Sequence, residues 1–133
     1  MKKRLLVLIL PIIALILEIL PYGAVLNFGQ PNGRIIKETY SYFNLLPFGY
    51  ANFGPFLTAI LTCILIALLV VFCVKGKNSF LKTASVLTGV AIFTSIMPLF
   101  FEISSFSIIG LFISLTLCAQ LGLMIFSFKK IKN

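Results

Sequence analysis

Apolar residues along this chain come in long runs, without the period of 2 or 3.6 that marks a half-buried strand or a surface helix. Four runs approach or exceed the roughly 20 residues that a helix needs to cross a hydrocarbon core about 30 Å thick. They are Leu5–Leu20, extended to Leu26, then Pro55–Val74, Phe80–Phe101 and Phe106–Phe128. In lipid a spanning segment must close its own backbone hydrogen bonds, so each run is read as a helix. The pattern predicts an all-α membrane protein. A single domain over residues 1–133 forms a four-transmembrane-helix bundle, with an extracellular aromatic cap over about residues 27–54.

The connections are unequal. Pro21 to Gly54 is long, whereas Glu102 to Ser105 is barely a turn, so the third and fourth spans are expected as an antiparallel hairpin. Within the long segment Asn27-Phe28-Gly29 and Asn52-Phe53-Gly54 repeat, each followed closely by proline, and are read as matched turns at the membrane surface. Pro31-Asn32-Gly33 signals a tight turn, and the β-branched and aromatic stretch from Arg34 to Phe43 suggests a short strand or hairpin in the cap. Aromatic rings with a polar edge suit the headgroup layer. Tyr40, Tyr42, Phe43, Phe48, Tyr50 and Phe53 are therefore expected as an external recognition surface.

Composition agrees with lipid as the solvent. Of 133 residues, 60% are hydrophobic, more than a soluble domain of this length could bury. The net charge of +8 would be compatible with nucleic acid, but its placement argues for a membrane. Lys2, Lys3, Arg4, Lys75, Lys77, Lys82, Lys129, Lys130 and Lys132 fall on one side of the four-span layout, leaving only Arg34 and Lys37 on the other. The positive-inside rule makes the richer side cytoplasmic, with both termini there, in a multi-pass protein of the cell membrane. The first run is longer than a signal-peptide core, and Tyr22-Gly23-Ala24 places a bulky residue where cleavage wants a small one, so it is read as a retained anchor.

The chain has no histidine, and its three acids are Glu18, Glu38 and Glu102. His-assisted nucleophilic catalysis and the usual His/carboxylate metal sites are thus excluded. No enzyme activity, cofactor or metal is expected. Cys63, Cys73 and Cys118 lie within runs and are read as small packing residues. Glu18 is the candidate functional acid. It lies about 21 Å along the helix from Arg4, below the outer hydrocarbon boundary, where a carboxyl group must face protein or water. It is expected to bond tyrosines of the cap, or Arg34 or Lys37; a proton- or cation-coupling role is the sharper reading. Glu102 is read as a turn residue.

Gly110, Ser114, Cys118 and Gly122 recur every four residues and predict a close helix contact, with Phe112 and Ile113 facing outward. Ala59, Cys63 and Ala67 form a shorter stripe of the same kind. Gln120, near mid-membrane, is expected to hydrogen-bond inside the bundle. Thr58, Thr62, Thr88, Ser95 and Thr116 can return bonds to their own helices. Pro11 and Pro98 are expected to kink theirs.

The order of long and short external loops resembles the claudin-like layout in topology only, because the chain lacks tryptophan and has no cysteine in its loop. One acid in the first of four spans resembles the small multidrug resistance transporters, which implies a coupling role for Glu18; the long cap departs from their short loops. Pro21–Phe28 and Pro47–Phe56, PYGAVLNF and PFGYANFGPF, resemble segments of small uncharacterised four-span membrane proteins of Gram-positive bacteria. That resemblance implies no activity. The reading that follows is a non-enzymatic interaction or accessory subunit recognising a partner or lipid through its external loop. The alternative is a small proton-coupled transporter of hydrophobic or cationic compounds using Glu18. Expected partners are membrane lipids, another membrane protein or further copies of the chain, and not nucleic acid.

Overall fold

The apolar runs fold as long helices, joined at one end by a small two-stranded sheet. The computed structural model describes residues 2–50, 53–101 and 103–132. In chain order the elements are α1 (Lys2–Ile19), β1 (Ala24–Gly29), β2 (Ile35–Tyr40), α2 (Leu45–Tyr50), α3 (Gly54–Lys75), α4 (Asn78–Phe101) and α5 (Ile108–Lys132), with a 3-10 turn at Ile103–Ser105 before α5. Three helices, α3, α4 and α5, are long and apolar enough to cross a membrane. Only 33% of each apolar window is buried within the protein, so most of that surface points outward. The 18 residues of α1 include Lys2, Lys3, Arg4 and Glu18, and this charge keeps it outside that group of three.

The first apolar run is shorter than its composition suggests. Pro21 has no N–H to continue a helix and biases the residue before it away from the α region. Accordingly α1 ends at Ile19, and Ala24 to Leu26 belong to β1. The hairpin expected near residue 34 exists, but its partner strand comes from this tail. β1 pairs antiparallel with β2 from Ala24↔Tyr40 to Gly29↔Ile35. Gly33 (φ 76°) makes the turn and donates its N–H to the Gln30 carbonyl at 2.9 Å. The first Asn-Phe-Gly is therefore strand, not turn. Of the second, Asn52 lies outside the described residues, while Phe53 caps α3 and Gly54 opens it.

α1 packs against α3 and α5, and α4 packs against the same two helices. Two residues, Gly76 and Lys77, connect α3 to α4, so these run antiparallel. Gly76 (φ 67°) is a left-handed cap whose N–H bonds the Phe72 carbonyl at 2.8 Å. A Cβ there would also lie 2.5 Å from Nη1 of Arg4. Arg4 thus rests on the carbonyl end of α3, where a cation is favoured by the helix dipole, with its guanidinium 6.0 Å from the Phe72 ring centre.

The interior has two layers. Near the chain termini, Val7, Leu65, Leu69, Phe72, Leu81, Ala84 and Met124 form a dry cluster. Toward the hairpin, Ala14, Ala59 and Ala91, from three different helices, pack with Ala24, Tyr42, Ile113 and Leu117. Small alanines at that level leave room for a large ring and for polar side chains.

The stripe of small residues on α5 is only half a contact. Gly110 and Ser114 are buried, but Cys118 and Gly122 are exposed, and a Cβ on Gly122 would meet nothing within 4 Å. Four residues at 3.6 per turn overshoot one turn by about 40°, so a strict four-residue repeat winds off the buried face. That face runs instead through Gly110, Ile113, Ser114, Leu117, Gln120 and Met124. Ile113 therefore points inward, contrary to expectation, while Phe112 does face outward. The same drift leaves Ala59 buried on α3 but Cys63 and Ala67 exposed. Cys63 and Cys118 are thus surface residues, not interior packing.

Gln120 is fully buried, and its side-chain N–H donates to the Val7 carbonyl at 2.9 Å. The reason lies four residues further along α1. Pro11 has no N–H, so the carbonyl it would have paired in the helix ladder, that of Val7, needs another donor. Gln120→Leu should cost about 1–3 kcal/mol, the usual penalty for orphaning a buried polar group. Combining it with Pro11→Ala, which restores an N–H at position 11, should shrink that cost toward zero. Thermal denaturation of the four proteins in detergent completes the cycle; equal costs in both backgrounds would separate the two residues.

Candidate functional site

Glu18 sits in the last turn of α1, on the face turned to α3, and is completely buried. Its Oε1 is 2.7 Å from the Thr62 hydroxyl. That same hydroxyl is 2.9 Å from the Thr58 carbonyl of its own helix. Oε2 has no hydrogen-bond partner. The expected partners are not the ones found: Arg34 and Lys37 lie on the exposed hairpin, and the acid is tied to a threonine of α3. Threonines at four-residue spacing signalled only local back-bonding, yet Thr58 and Thr62 also reach across helices. Thr58 pairs with Thr94 of α4 at 2.8 Å.

A second polar contact lies on the opposite helix pair. Ser95 of α4 and Ser114 of α5 pair at 2.7 Å, and Ser114 also donates to the Gly110 carbonyl at 2.9 Å. Ser95 thus reaches across to α5. The Tyr42 hydroxyl comes next to Ser95. Burial pushes this phenol up to about 12, so it remains a neutral hydroxyl.

Tyr42 is the main departure from the expected recognition surface: it is 1% exposed. Two glycines make its slot. A Cβ on Gly23 would lie 2.8 Å from the ring, and one on Gly110 would lie 3.2 Å from the hydroxyl. The Tyr42 N–H donates to the carbonyl of Glu18 at 3.0 Å, which fixes the ring's backbone to the end of α1. The ring is therefore the plug that joins the hairpin to the helices, and the aromatic pattern alone did not distinguish a plug from a surface anchor.

The hairpin is stitched to the turn before α5 as well. Ala24 bridges Phe106, Asn27 donates to Ser104 and Ser105 at 3.0 and 3.1 Å, and Ser107 donates to the Gly23 carbonyl. β1 is thereby flanked on both sides, while β2 is exposed along almost its whole length. Of the remaining expected surface residues, Phe43 and Phe53 are exposed and Tyr40 is half-buried. Tyr40 donates to Glu38, and this bond pushes its phenol upward. The side chains of Phe48 and Tyr50, on the six-residue α2, lie outside the described residues, as does Glu102.

Two environments result, one polar and one apolar. An interior set of hydroxyls and one carboxyl group is enclosed beneath Tyr42, and an outer surface carries Tyr22, Phe28, Ile35, Phe43, Leu45 and Phe53. Comparison with protein-family models, curated proteins and solved structures finds no match to this chain.

Proposed function

We propose that this chain crosses the cell membrane four times as a helical bundle, with both termini and the Gly76–Lys77 connection on the cytoplasmic side. It acts, on this reading, as a non-enzymatic interaction or accessory subunit whose external cap recognises a membrane partner or lipid. The apolar outer surface of the hairpin region, tied to the helices by Tyr42 and to the turn before α5 by the Ala24–Phe106 bridge, is the observation that carries it. A surface held in place loses little entropy on binding, which favours recognition. Isolated surface apolar residues are ordinary, but a contiguous group marks contact with lipid or protein.

The fourth span is supported by the outward face of α1. Leu5, Leu6, Ile9, Ile12, Ile13, Ile16 and Ile19 are all exposed, as are Leu57, Ile60 and Ile64 on α3 and Leu111, Phe112 and Leu115 on α5. A helix of 18 residues is about 27 Å long, enough for a thin hydrocarbon core. The charges of α1 lie where a membrane tolerates them: Lys2, Lys3 and Arg4 at one end, and Glu18 turned inward.

Single cysteines at Gln30 and Asn78, in a background without Cys63, Cys73 and Cys118, test the layout. Gln30→Cys should react with an impermeant thiol reagent in intact cells, and Asn78→Cys only after permeabilisation; labelling of both in intact cells would reject four spans. Photo-reactive side chains at Phe43 and Phe53 then test recognition. They should yield a discrete cross-linked protein or lipid, whereas the same group at Phe112, on the outer face of α5, should give only bulk lipid. Identical products from all three sites would reject recognition by the cap.

A further inference from the structure

We propose that Glu18 is a proton-binding site that exchanges with the hairpin side of the protein. Hydrogen counting at Thr62 is the first ground. Its hydroxyl lies within bonding distance of two acceptors, Glu18 Oε1 at 2.7 Å and the Thr58 carbonyl at 2.9 Å, yet a hydroxyl has one hydrogen. Both contacts receive a hydrogen of their own when Glu18 carries a proton on Oε1 and donates it to Thr62, which in turn donates to Thr58. An ionised Glu18 would leave the two acceptors sharing a single hydrogen, with Oε2 bearing charge and no partner.

The surroundings are the second ground. The group in contact with Glu18 is the Thr62 hydroxyl of α3; the Cys63 thiol and the Tyr42 phenol lie within range of its charge, and among the described residues no cation pairs with it. A carboxyl group enclosed this way has no counter-ion, and a proton is the ligand that removes its charge.

The direction of access is the third ground. Thr58, Thr94, Ser95, Ser114 and Tyr42 cluster at the hairpin end, with hydroxyls that can accept and pass a hydrogen. Toward the termini the interior is closed by the apolar cluster of Val7, Leu65, Leu69 and Phe72. Thr88 there bonds its own helix at Ala84, and Gln120 is an amide that neither takes nor yields a proton in the ordinary range.

Dicyclohexylcarbodiimide tests this, because it enters apolar interiors and, among carboxyl groups, reacts only with the protonated form. In right-side-out vesicles, peptide mapping by mass spectrometry should find the adduct on Glu18 and none at that position in Glu18→Gln. The adduct yield should fall about tenfold or more as external pH rises from about 6 to about 9.5, and hold steady when only the lumen is made alkaline. A yield that ignores pH would make Glu18 a permanently neutral structural acid and overturn exchange. Absence of adduct would overturn protonation. Dependence on luminal pH would overturn the direction of access. Loss of adduct on adding sodium at fixed pH would replace the proton with a metal cation. The assay needs no partner or substrate, so its outcome is independent of recognition by the cap.

Discussion

Tyr42→Ala is expected to detach the hairpin while leaving the long helices paired. The ring fills the slot between Gly23 and Gly110, and removing a fully buried aromatic side chain typically costs about 3–5 kcal/mol. The loss should be local. α3, α4 and α5 also meet in the cluster near the termini, through Leu65, Leu69, Phe72, Leu81, Ala84 and Met124, away from Tyr42, whereas β1 and β2 reach the helices mainly through this ring and the contacts of Gly23, Ala24 and Asn27. Limited proteolysis in detergent should therefore cut residues 21–53 at least tenfold faster than in the parent, with the helical circular dichroism retained. Tyr42→Phe keeps the ring and removes only the hydroxyl beside Ser95, so its cost should be smaller, about 1–3 kcal/mol. Equal protection of all three proteins would show that the hairpin is held without the ring.

Gly110→Leu should be the most damaging substitution on α5, and Gly122→Leu among the mildest. At Gly110 the first added carbon alone would lie 3.2 Å from both the Tyr42 and Ser107 hydroxyls and 3.5 Å from the Gly23 carbonyl. A full leucine must push Tyr42 out of its slot. Overpacking of this kind costs typically about 1–3 kcal/mol, and displacement of the ring adds to it. At Gly122 nothing lies within 4 Å, so leucine there projects outward and improves helix propensity. Thermal stability in detergent gives the ranking. The two substitutions lowering stability equally would mean that Gly122 meets a second copy of the chain, and thus that the α5 outer face is an interface.

The two glycines differ because of helical geometry, and that difference separates what the sequence alone shows from what it does not. The long apolar runs needed no neighbours to be recognised as helices, since length and the absence of charge are properties of each run alone. Gln120 is another such case: an amide in an apolar run must find a partner, whatever the partner is. That the partner would be Val7 was not readable. It depends on Pro11 of α1 lying beside α5, across more than a hundred residues of sequence.

Tyr42 and Glu18 mark the other boundary. An aromatic residue in a loop between apolar runs is compatible with a headgroup anchor or a buried plug, and composition is the same for both. The choice is made by Gly23 and Gly110, which come together only when the hairpin folds back over α5. Likewise, a carboxyl group in an apolar run must face protein or water, but Thr62 became its partner only when α1 packed against α3. The sequence by itself determined the helices, because burying apolar length and closing backbone hydrogen bonds are local demands. Tertiary structure alone decided which small residues make contacts, which ring is buried and what the acid touches, because each depends on the rotation of one helix about its axis relative to the next.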